Sequence, residues 1–176
     1  YIYERAEIEK EGEVKNYYQA VALIMKAYGF GFLTSAFGDV PFSEALMGEN
    51  GGEAFQPSYD AQRDVFLGIL ADLERANELL NSAGVISEVS DADIVYGGDS
   101  QKWRRFANSL RLRFYMRLSE KEEINAQAGF ANIIQNNLPL LEDNTDNAAV
   151  SYVGTDANNS WPGGALNWSN RSEFYR

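Results

Sequence analysis

The sequence predicts an all-α fold. Four segments repeat apolar residues at three- and four-residue intervals, no segment alternates as a half-buried strand would, and clusters of Gly, Pro, Asn and Asp separate the periodic stretches. With 176 residues, 45% hydrophobic and 23% charged, the chain can bury the core of a single globular domain. Helices are expected at about 14–37, 59–82, 100–119 and 122–137, with a loop-rich remainder over 138–176. Periodicity leaves two arrangements open, a bundle or a stack of tetratricopeptide-like helix pairs, and no repeat of roughly 34 residues with the usual consensus decides between them.

The first helix places Tyr17, Ala20, Val21, Ile24, Ala27, Tyr28 and Phe32 on one stripe, with Gly29, Gly31 and Gly38 weakening its C-terminal part. Pro41 disfavours helical geometry at Val40, and Gly48, Gly51 and Gly52 punctuate a long loop reaching Pro57.

The second helix starts where Ser58 or Asp60 can cap it. It carries Val65, Phe66, Ile69, Leu70, Leu73, Ala76 and Leu80 before Gly84 closes it. A second loop, 85–99, ends where Asp99 or Ser100 caps the third helix, whose stripe is Trp103, Phe106, Ala107, Leu110, Phe114 and Leu118. The fourth uses Ile124, Ala128, Ala131 and Ile134 and gives way at Leu138-Pro139.

Charge and missing residue types narrow the function. Fifteen Lys and Arg against 26 Asp and Glu give a net charge of -11, which repels nucleic acid and anionic lipid headgroups. With no Cys and no His, the chain builds neither thiolate or imidazole metal sites nor a Ser-His-Asp or Cys-His relay. A disulfide-rich scaffold is excluded, while the compartment stays open. The longest uninterrupted aliphatic run, Ala20 to Met25, is far below the roughly 20 residues of a membrane-spanning helix. The charged opening stretch, Tyr1 to Lys15, and the Phe174-Tyr175-Arg176 end read as cuts in a longer polypeptide.

Several exact strings then occur in order: Phe37-Gly38-Asp39-Val40-Pro41-Phe42-Ser43-Glu44-Ala45, Pro57-Ser58-Tyr59-Asp60-Ala61-Gln62, Asp72-Leu73, Asp93-Ile94-Val95-Tyr96-Gly97-Gly98-Asp99, and Lys102 to Arg113 with Met116, Arg117 and Ser119. Over about residues 17–153 this ordered set resembles the SusD/RagB family of outer-membrane nutrient-binding lipoproteins. The resemblance implies tetratricopeptide-like helix pairs with long irregular loops, as the N-terminal or middle part of a larger protein. It also implies a lipidated N-terminal Cys outside this chain, an outward-facing position on the outer membrane, and a non-enzymatic role capturing glycans, or peptides, for a TonB-dependent transporter. A scaffold that binds protein partners through its helix faces is the reading from another class.

The expected glycan contacts are Tyr152, Asn158, Asn159, Trp161, Asn167 and Trp168. Large rings there are interleaved with Asn, Ser and Gly outside any periodic segment. Flat aromatic faces stack on a pyranose and Asn amides pair with its hydroxyls, although the same mixture suits a packed loop. The 47–56 loop, with Glu49, Asn50, Glu53 and Phe55, could line a ligand site, meet the transporter or be a solvated turn.

Seven of the fifteen basic residues, Lys102, Arg104, Arg105, Arg111, Arg113, Arg117 and Lys121, fall on or just after the third helix. Inter-helix pairing is expected of them rather than anion binding. Trp103 and Phe106 are expected in the core. Ca2+ is conceivable at Asp91, Asp93 and Asp99, or at Glu142, Asp143, Asp146 and Asn147, but caps and turns explain these acids better. Neither a metal ligand nor a cofactor is expected, and no acid pair stands out for glycoside hydrolysis.

Overall fold

A computed structural model describes residues 2–48, 51–81, 83–121 and 124–150. Its helices are α1 (Ile2–Glu9), α2 (Gly12–Phe37), α3 (Gln62–Leu79), α4 (Ser100–Arg117) and α5 (Ala126–Gln135), with short 3-10 turns at Gly52–Phe55, Ser87–Val89 and Asn144–Asp146. The fold is all-α: among the described residues the extended pairings are two isolated antiparallel bridges, Val40 with Asp60 and Val85 with Asp99. Each helix packs on its neighbour in sequence, and α2 also touches α4.

The core runs along α2, α3 and α4. Ile24, Ala20, Ala27, Val65, Ile69, Leu73, Ala76 and Ala107 are fully enclosed in one cluster, each large aliphatic contributing about 1.5–3 kcal/mol by leaving water. Small residues set the helix spacing. A Cβ on Gly31 of α2 would lie 2.3 Å from the Phe114 ring, one on Gly68 of α3 2.4 Å from Phe42, and one on Gly129 of α5 2.2 Å from Tyr115. Of the glycines read as weak points in the sequence, Gly31 is a contact point while Gly29 and Gly38 face open space, and α2 continues unbroken to Phe37.

Four expectations need correction. Helix α1 was hidden in a charged stretch, because among its side chains only Ala6 is buried. On α2, Tyr28 and Phe32 are exposed, and Phe30, Gly31 and Thr34 take the core positions instead. Neither Ser58 nor Asp60 caps α3: Asp39 Oδ1 accepts the Gln62 amide, while Asp60 accepts from the Phe42 and Ser43 amides and the Ser43 hydroxyl. On α5 the buried positions are Ala126 and Ile133, a register displaced from Ala128, Ala131 and Ile134, because Gly129 must face Tyr115.

The longest aliphatic run also understates α2, which is long and apolar enough by length and composition to cross a bilayer. Part of that apolar surface faces the core, and part does not.

Candidate functional site

The string Asp93 to Asp99 folds around one carboxylate. Asp93 Oδ1 accepts the Val95 and Tyr96 amides at 3.0 and 3.2 Å, and Oδ2 accepts the Tyr17 hydroxyl at 2.5 Å, the Gly98 amide at 2.9 Å and the Trp103 indole N–H at 3.0 Å. Burial works to raise the Asp93 carboxyl, but the donated hydrogen bonds together outweigh it and hold it below the usual range. Burial, and then the bond to Asp93, pushes the Tyr17 phenol far up. Gly98 sits at φ 85°, and a Cβ there would meet the Ile86 carbonyl at 2.6 Å, so the turn demands glycine. Asp99 then caps α4 by accepting the Gln101 and Lys102 amides. Ser100, the other expected cap, is buried without a hydroxyl partner.

Helix α4 distributes its basic residues largely as expected. Arg111, 2% exposed, pairs with Glu74 at 2.9 Å. Arg104 Nε and Asn108 Nδ2 both donate to Asn77 Oδ1. Arg105 pairs with Asp146 at 2.9 Å, and the Lys102 ammonium donates to the Thr145 carbonyl. Trp103 is buried, its ring 5.1 Å from Tyr96 and 6.1 Å from the half-buried Phe106. Arg113 and Arg117 differ: both are exposed, and no ion pair forms on either among the described residues.

The same contacts strap residues 138–147 along α4. Asn108 donates to the Pro139 carbonyl, Ser109 Oγ accepts the Leu141 amide, and the Tyr96 hydroxyl donates to the Asp146 carbonyl. The Asp146 carboxyl is lowered from its ordinary value by the Glu142 amide, against its burial, and by Arg105. Of the acids weighed for Ca2+, Asp93, Asp99, Asp143 and Asp146 are engaged as turn, cap and ion-pair acceptors, Asp143 accepting the Thr145 amide and hydroxyl. Among the described residues no group of three or more acids is placed to hold a metal ion. The glycan contacts expected at Tyr152, Asn158, Asn159, Trp161, Asn167 and Trp168 lie outside the described residues, beyond this strap.

Sequence reasoning missed an open seam between α2 and α4. A cavity of about 290 Å³ is lined there by Tyr28, Phe32, Leu110 and Phe114 and edged by Arg113 and Arg117. A second, of about 220 Å³, lies between Tyr17, Met25, Ile94 and Trp103. The available signal was the spacing of Arg113 and Arg117, one turn apart with no acid opposite them on their own helix.

The sequence profile of a family described as starch-binding and associating with the outer membrane, SusD-like, matches residues 2–175. The chain belongs to the SusD-like family. Solved structures agree with this. An outer-membrane protein of Bacteroides vulgatus ATCC 8482, assigned to nutrient binding, is 34% identical with a TM-score of 0.75, over 92% of this chain and 34% of its own. A SusD homologue of Bacteroides fragilis NCTC 9343 is 39% identical with a TM-score of 0.70, over 87% and 32%. A chitin-binding SusD homologue from Flavobacterium johnsoniae is 26% identical with a TM-score of 0.65, over 77% and 29%. This SusD-like chain therefore spans about a third of the length of the solved structures it matches. No curated protein matches it.

Proposed function

We propose that this SusD-like chain is part of a cell-surface binding protein that captures oligosaccharides and delivers them, without chemistry of its own, to a TonB-dependent outer-membrane transporter. The observation that carries this reading is the family match over residues 2–175, whose description joins starch binding to the outer membrane; the chitin-binding relative supports the same ligand class. In this reading a lipid anchor holds the protein on the outward face of that membrane. The glycan stacks on Trp161, Trp168 and Tyr152 while Asn158, Asn159 and Asn167 pair with its hydroxyls. The well-anchored 138–147 strap supports it by giving the aromatic stretch a fixed root on α4.

The test is a titration of the full-length protein with plant, host and microbial oligosaccharides and a peptide mixture, followed by Trp fluorescence, with Trp161→Ala and Trp168→Ala alongside. A saturable sugar response lost in either variant is expected. A response to peptides alone would move the ligand to the peptide class, and a response untouched by both variants would move the site.

A further inference from the structure

We draw no further inference here: the strongest candidate, the apolar seam between α2 and α4 lined by Tyr28, Phe32 and Phe114 and edged by Arg113 and Arg117, carries nothing because nothing in the structure shows what covers it.

Discussion

The hydroxyl of Tyr17 on α2 reaches the carboxylate of Asp93, 76 positions later, at 2.5 Å. Because the same carboxylate also takes the Trp103 indole from α4 and the Gly98 amide, one acid joins α2, the second long loop and α4. Asp93→Asn should cost about 2–4 kcal/mol and Tyr17→Phe about 1–2 kcal/mol. Their sum should exceed the cost of the double variant, since both remove one bond. Urea unfolding read by circular dichroism measures all three, and an Asp93→Asn protein as stable as its parent would refute the linchpin role.

Stability should fall at both ends of the pH scale for opposite reasons. The folded Asp93 carboxyl binds its proton less readily than an unfolded one. The unfolded state therefore holds more protons in acid, and the stabilisation, complete above about pH 4, is lost as pH drops below it. The Tyr17 phenol is raised far up, and that of Tyr96, first by burial and then by the charges of Asp146, Asp93 and Asp99, to about 12. Their contribution is complete below about pH 10, where unfolded tyrosines begin to ionise, and disappears as pH rises through the folded values. In Tyr96→Phe the alkaline limb should be shallower and the acid limb unchanged.

Two glycines one half-turn apart on α2 should respond oppositely to alanine. At Gly29 a new Cβ meets nothing within 4 Å, so Gly29→Ala should stabilise by about 0.5–1 kcal/mol through helix propensity. At Gly31 the Cβ falls 2.3 Å from the Phe114 ring, itself packed on Phe66, so the overpacking cost of about 1–3 kcal/mol should exceed that gain. Thermal melts of the two variants decide it, and two shifts of the same sign would contradict the close approach of α2 and α4.

Asp60→Ala should loosen the first loop without melting the helices. The Phe42 and Ser43 amides lose their acceptor, whereas Gln62 keeps Asp39. Hydrogen exchange should therefore quicken at 42 and 43 and remain slow through α3.

The sequence was most legible where period and polarity agree. Helices α3 and α4 begin and end within about three residues of expectation, and Trp103 is in the core. Helix α1 escaped notice because a short charged helix with a lone buried Ala6 has no periodic signal. Tyr28 and Phe32 were misassigned because α2 is apolar around much of its circumference, so period alone does not say which face meets α3. The glycine contacts are invisible in one sequence, since a glycine that admits a ring looks like one that breaks a helix. The aromatic stretch from Tyr152 to Trp168 was legible only as composition, and it lies outside the described residues.

The single bridge between Val40 and Asp60 separates what the first loop says from what the scaffold hears. Phe42, wedged 5.1 Å from Phe30 and against Gly68, and the Glu44 carboxylate accepting the Ser58 amide fasten the neck, and the described residues Met47, Gly48, Phe55 and Gln56 of the 47–56 stretch stay exposed. Evolution, or a designer with a randomised library, can rewrite that stretch for a new recognition task while α2 and α3 keep their register.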